Sequence, residues 1–118
     1  MNPEKPIFQQ IMEMIEDNII LGKYQAGDMI ISTTQISKLL SVNPTTAVKA
    51  VSILTDQGIL YKKRGLGMCV AEGAKEKILE NRRKDFFEQS IPVFISEANK
   101  IGISKDELLK IIKEHKND

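Results

Sequence analysis

The chain has no tryptophan, one cysteine, one histidine and only 5% aromatic residues. So few rings argue against an aromatic-lined pocket for sugars or nucleobases. The single Cys69 allows no internal disulfide and fits a reducing compartment. Cys69 and His115 together fall short of the three or four ligands of a typical zinc site. No nucleophile–base pair, metal cluster or phosphate-cradling loop is present, so neither an enzyme nor a cofactor is expected. No apolar run approaches the ~20 residues that span a bilayer. The opening Met1-Asn2-Pro3-Glu4-Lys5-Pro6 lacks the basic start and apolar stretch of a signal peptide. A cytoplasmic protein that is not membrane-embedded is expected.

What is present fits a small globular protein. The 118 residues are 42% hydrophobic and 28% charged, enough for one domain or a small domain with an appendage. The net charge of +1 is uninformative, but its distribution is not. Residues 1–31 carry five acids (Glu4, Glu13, Glu16, Asp17, Asp28) against Lys5 and Lys23. Residues 43–71 carry Lys49, Lys62, Lys63 and Arg64 against Asp56 alone. In residues 72–118 acids and bases balance. Positive charge is thus concentrated in one short segment, where a polyanion can be met.

Periodicity supplies the elements. Ile7, Ile11, Ile15 and Ile19 predict an amphipathic helix, with Pro6 in its first turn and Gly22 at its C-terminal cap. Ser32-Thr33-Thr34-Gln35 is a capping box opening a short helix with Ile36, Leu39 and Leu40 on its inner face. Asn43 and Pro44 read as the N-cap and first residue of a third helix, lined inside by Val48, Val51 and Leu54 and ended by Gly58. Residues 59–63 and 68–71 predict two short strands joined through Arg64-Gly65-Leu66-Gly67, with Cys69 a small buried apolar residue. From Glu72 the composition shifts to charged stretches with spaced apolar residues, predicting one long helix or two collinear pieces interrupted by Pro92 near Ser90. Gly102 ends that stretch, and Ser104-Lys105-Asp106-Glu107 opens a last helix.

Two short helices joined by a tight turn, then a hairpin with a basic tip, predict a mostly α (α+β) fold. It is a winged helix-turn-helix over residues 1–71 with a short C-terminal helical dimerisation tail over residues 72–118. The major groove of DNA admits one helix, and the second of the pair is the one presented to it. Asn43, Thr45 and Thr46 are short and polar at its start, where free N–H groups and the positive dipole end suit a phosphate. Lys49 lies one turn on, long enough for a phosphate or a guanine edge. Arg64, between the strands and beside Gly65 and Gly67, suits the minor groove, and Lys62 and Lys63 suit the phosphates. Ser32, Thr34 and Pro44 complete the candidate DNA-binding set.

The segments Ile7-Phe8-Gln9-Gln10-Ile11, Gly22-Lys23-Tyr24-Gln25-Ala26-Gly27-Asp28, Thr45-Thr46-Ala47-Val48-Lys49-Ala50 and Gly58-Ile59-Leu60 through Arg64-Gly65-Leu66-Gly67 resemble the GntR family of bacterial repressors. The resemblance covers about residues 6–71. Val42-Asn43-Pro44-Thr45-Thr46 with Lys49-Ala50, together with the short tail, is similar to the YtrA subfamily. The resemblance implies a homodimer joined through the C-terminal helices and a pseudo-palindromic double-stranded operator, often ahead of ABC-transporter genes. Two departures stand out. Ile31-Ser32-Thr33-Thr34 keeps only the serine of the family's Pro-Ser-Glu-Arg, and the family's recognition-helix arginine aligns with Val48.

The tail's apolar stripe is too large for an isolated helix to leave wet. Leu79, Phe86, Phe87, Ile91, Phe94, Ile95, Ala98, Leu108 and Ile112 are the candidate dimer interface. Glu72, Glu76, Glu80 and Glu88 alternate with lysines and read as a solvated helix face. The tail is too short for a large ligand-binding domain. A small-molecule or amphipathic peptide effector would have to use the tail, the dimer cleft or the junction at residues 71–90. The competing reading is a winged-helix protein-interaction adaptor that does not bind specific DNA.

Overall fold

In the computed structural model of the chain, which describes residues 5–117, the isoleucine recurrence becomes helix α1 (Ile7–Ile20). Ile11, Ile15 and Ile19 are buried, while Ile7 at the first turn is largely exposed. The readings made on Met1–Glu4 and on Asp118 lie outside the described residues. Gly22 adopts φ +80°, and the turn closes with the Gly22 N–H on the Ile19 carbonyl (3.1 Å) and the Lys23 N–H on the Asn18 carbonyl (2.9 Å). That pair of bonds needs a left-handed residue, which glycine supplies without a Cβ clash.

Helix α2 (Thr33–Leu40) starts at the expected capping box. Ser32 Oγ accepts the Gln35 N–H at 3.1 Å, and Gln35 Oε1 accepts the Ser32 N–H at 2.8 Å. Only Ile36 of α2 is fully buried. Leu40 is half-buried, but Leu39 is 71% exposed, so the inner face is narrower than expected. Ile36, Leu39 and Leu40 share one stripe at i, i+3 and i+4, and Leu39 lies at its uncovered edge.

Helix α3 (Pro44–Asp56) follows directly and packs on both α1 and α2. The connection turns on Ser41, which adopts φ 53° and ψ 45°. It is the one described non-glycine residue with positive φ. The Val42 N–H reaches the Ser37 carbonyl (3.0 Å), and Ser37 Oγ donates to the Val42 carbonyl (2.7 Å).

Strands β1 (Leu60–Lys63) and β2 (Gly67–Val70) form an antiparallel hairpin with Leu60 opposite Val70 and Lys63 opposite Gly67. Met29 pairs with Cys69 on the outer side of β2, so the loop after α1 clips the hairpin. The Ile30 N–H donates to the Met68 carbonyl and the Val70 N–H to the Asp28 carbonyl, both at 2.9 Å. Cys69 is buried.

Helix α4 is Ala74–Asp85. Ala74 and Ile78 are buried in the same core as Ile36, Leu54 and Val70, and the first compact unit ends at Glu80. The change in composition at Glu72 is therefore not where packing ends. The second unit begins at Asn81. A π-helical turn, Phe86–Ser90, precedes α5 (Ile91–Lys100). Pro92 has no N–H, and its ring would strike the Glu88 carbonyl in a regular α-helix. The wider turn, with the Ile91 N–H on the Phe86 carbonyl, accommodates it. Gly102, at φ +79°, ends α5. Ser104 Oγ caps α6 (Lys105–Glu114) by accepting the Glu107 N–H at 3.1 Å. No described helix is long and apolar enough to cross a membrane.

Ser41 yields a stability prediction. A left-handed L-residue costs about 1–2 kcal/mol, whereas glycine adds about 0.4–1 kcal/mol of unfolded-state freedom. Ser41→Gly is expected to raise unfolding free energy in urea by about 0.5–1 kcal/mol. A drop would show that the serine side chain holds the turn.

Candidate nucleic-acid interface

The inner face of α3 is Ala47, Ala50, Val51 and Leu54, all buried. Thr45, Val48, Lys49 and Ser52 then fall at i, i+3, i+4 and i+7 on the opposite face, and all four are exposed. Val48, expected inside, is 52% exposed. The alanine at 47 takes the inward position instead, because a buried arc through 47, 50, 51 and 54 leaves 48 outside it. Asn43 and Pro44 are exposed and Thr46 is half-buried.

Asn43 caps the helix. Its Oδ1 accepts the Thr45 N–H at 3.0 Å and the Thr45 hydroxyl at 2.9 Å. The Thr46 N–H donates to the Asn43 carbonyl at 2.9 Å, and Pro44 has no N–H. The expectation of free backbone donors for a phosphate is therefore corrected: the cap uses the Thr45 donor and the first turn uses the Thr46 donor. What remains is the dipole. The first turns of α2 and α3 contain no acidic residue, whereas α6 begins with Asp106 and Glu107. The positive ends of α2 and α3 are thus left unneutralised by their own first turns.

The hairpin tip carries the basic residues as expected. Lys62, Lys63, Arg64 and Gly65 are exposed and Gly67 is half-buried. The Leu66 N–H closes on the Lys63 carbonyl at 3.0 Å with Gly65 at φ +81°, a turn whose third position calls for glycine. Ser32 and Thr34 are exposed at the start of α2, with the Ser32 oxygen engaged in its cap. All these residues belong to the first unit.

Lys49 has a partner that sequence reasoning missed. Its ammonium lies 4.0 Å from the centroid of the Phe8 ring in α1. Such a contact contributes about 0.5–1 kcal/mol at an exposed site. No local signal links residues so far apart in the chain. Val48 and Ser52 could have been found by placing Thr45 outward and counting three, four and seven.

The dimer candidates, apart from Leu79, lie in the second unit. Phe86, Phe87, Phe94 and Ile112 are largely exposed, and Ile91, Ile95 and Leu108 are half-buried. Leu79 is exposed in the first unit. Ala98 is buried within the single chain and has almost no surface left to offer a partner. The rings of Phe86 and Phe87 meet edge to face at 5.9 Å, and the Arg83 guanidinium lies 5.6 Å from the Phe87 centroid. In the first unit, an open cleft of about 340 Å³ is lined by Ile19, Tyr24, Gln25, Val70, Gly73 and Lys75, among others. Among the described residues no group of three His, Cys, Asp or Glu could hold a metal ion.

A clipped hairpin following two short helices, the second with an acid-free exposed start, defines a winged helix-turn-helix that binds DNA. The chain belongs to the GntR family of transcriptional regulators. It is 33% identical to a GntR family regulator from Listeria monocytogenes, with TM-score 0.73, over 98% of this chain and 100% of that one. Within the family it is similar to the transcriptional repressor YtrA of Bacillus subtilis, at 29% identity over 92% of this chain and 83% of the repressor. The S. agalactiae protein BusR, solved in complex with its busA promoter DNA, superposes with TM-score 0.62 and 27% identity over 89% of this chain and 52% of that one. No family model matches the chain. The protein is a DNA-binding transcriptional regulator and not an enzyme.

The cap can be tested without DNA. Asn43→Ala should lower unfolding free energy by about 1 kcal/mol, the usual cost of losing an N-cap side chain. An unchanged urea midpoint would show that the cap is dispensable for α3.

Proposed function

We propose that the protein is a homodimeric repressor that grips a pseudo-palindromic operator, one half-site per protomer, and lets go when an effector binds. The observation that carries this reading is the exposed, acid-free amino end of α3 on the same unit as the arginine-tipped hairpin. In this reading the DNA-binding part comprises residues 1–71, and the tail from Glu72 joins the protomers.

Each contact has its chemistry. Asn43, Pro44, Thr45 and Thr46 are short enough for the start of α3 to lie close to the major-groove floor. Ser32 and Thr34 offer hydroxyls to a phosphate from α2. Lys62 and Lys63 neutralise phosphates, and Arg64 enters the minor groove, where the glycines beside it add no bulk. The exposed Phe86, Phe87, Phe94 and Ile112 support self-association, since burying them against a second copy removes apolar surface from water. A two-fold dimer would then set its recognition helices about 34 Å apart, one turn of DNA.

The likeness to YtrA supports repression as the mode. The expected target is an ABC-transporter-type operon that includes the regulator's own gene. The effector, a small molecule or an amphipathic peptide, would act by shifting the population between DNA-competent and incompetent dimers. The cleft lined by Tyr24, Val70, Gly73 and Lys75 lies at the start of the junction expected to receive it.

Two measurements test this. Fluorescence anisotropy with a duplex from upstream of the protein's own gene should give tight binding that weakens with salt. Arg64→Ala should bind more weakly and reduce the log–log salt slope by about 0.9, because its charge in the minor groove, between the two phosphate strands, displaces about one counterion. Wild-type-like affinity and slope would remove Arg64 from the interface. Weak binding abolished by modest salt would instead favour a protein-interaction adaptor. Sedimentation equilibrium at micromolar concentration should give the mass of a dimer, and a monomer there would overturn the homodimer.

A further inference from the structure

Val48 is the outward residue of α3 that local physics leaves unexplained. Valine is a weak helix former, and at 52% exposure it gains little from burial. A single exposed apolar residue is ordinary on most surfaces. This one lies in the middle of the row Thr45, Val48, Lys49 and Ser52, on the helix face opposite the buried Ala47, Ala50, Val51 and Leu54.

Its neighbours sharpen the point. The Lys49 ammonium is drawn over the Phe8 ring, and the Thr45 hydroxyl donates to Asn43. Two polar members of the row thus already have partners within the protein. Thr45 and Ser52 are short and let the helix axis come close to whatever it meets. Valine is also stiff: in a helix its side chain is held in one χ1 rotamer about nine times in ten, so both methyls have a fixed position.

We infer that Val48 is a specificity-determining residue that selects thymine through its 5-methyl group. This rests on the reading of α3 as the major-groove helix. Valine neither donates nor accepts a hydrogen bond, so the base edges of guanine, adenine and cytosine gain nothing from it and lose water. Thymine alone offers a methyl group in the major groove. Lys49, held aside by Phe8, serves the neighbouring phosphate and not a base.

The test is a selection followed by a methyl-deletion cycle. Full-length wild type and Val48→Ala are each used to enrich binding sites from a pool of randomised duplexes. Alanine is the better helix former at an exposed position, so the variant keeps its fold. The expected result is a thymine preference at one position in each half-site for wild type, relaxed in Val48→Ala. Deoxyuridine at that position should then weaken wild-type binding about three- to fivefold per methyl lost, the scale of one buried methyl group. The same change should leave Val48→Ala unaffected. The same thymine preference in both proteins, or an equal loss from deoxyuridine in both, would overturn the role of Val48 and leave DNA reading by α3 intact. Failure of the wild type to enrich any sequence would instead bring down the reading of α3, and this inference with it.

Discussion

Everything presented by α3 depends on the seam where Ala47 and Ala50 are fully buried against the neighbouring helices. Side-chain volume at a helix contact sets how close two axes come. Two alanines there allow a near approach, and Val51 and Leu54 fill the remaining space. A buried arc through positions 47, 50, 51 and 54 fixes the helix's rotation about its own axis. That rotation decides which residues point outward. A turn of about 100°, one residue's worth, would bury Val48 and expose Ala50 and Leu54 instead. The outward row is therefore a consequence of core packing, and each candidate contact on α3 inherits its direction from the alanines.

The short helices rely on caps because they are too short to be stable through propensity alone. The eight residues of α2 have Ser32 and Gln35 closing the front and Ser41 in a left-handed conformation closing the back. Strain at Ser41 is accepted where the chain must reverse before Asn43 begins the next cap. The Ser37 hydroxyl on the Val42 carbonyl then ties the far side of the turn back to α2. Polar groups bonded across a tight turn in this way keep α2 and α3 at one angle, so the hydroxyls at the start of α2 and the amino end of α3 keep a fixed relation.

The sequence made the punctuation legible. Ser32, Asn43, Pro44, Gly22, Gly58 and Gly102 mark helix ends through local chemistry, and the structure places the ends there. The hairpin and the interruption before Pro92 were readable for the same reason. The faces of the short helices were not. Leu39 and Val48 are apolar yet point outward, because how much of a short helix its neighbours cover is set by tertiary packing and not by apolar spacing. The free donors expected at α3 also failed, because a good N-cap and a good phosphate site compete for the same N–H groups. The Phe8–Lys49 contact depends on tertiary packing, which no spacing rule encodes. The end of the first unit was obscured too. Ala74 and Ile78 sit among charged residues, and two buried side chains scarcely register in a composition average.

Phe8 links the two ends of this reasoning. Its ring packs partly against the core while its face receives Lys49. The contact contributes about 0.5–1 kcal/mol, which a phosphate can match or exceed once it releases a counterion. In the proposed reading, Lys49 would exchange from ring to phosphate as DNA arrives, and until then the ring keeps its charge off the centre of α3. Parking it there also limits the rotamer entropy lost on binding, because a long side chain already confined to one region has less freedom to give up. A lysine left free over Val48 would stand between the helix and the base edges. In that reading, moving the charge aside lets the short, uncharged Thr45, Val48 and Ser52 face the groove, while Lys49 and the hairpin deliver positive charge along its edge.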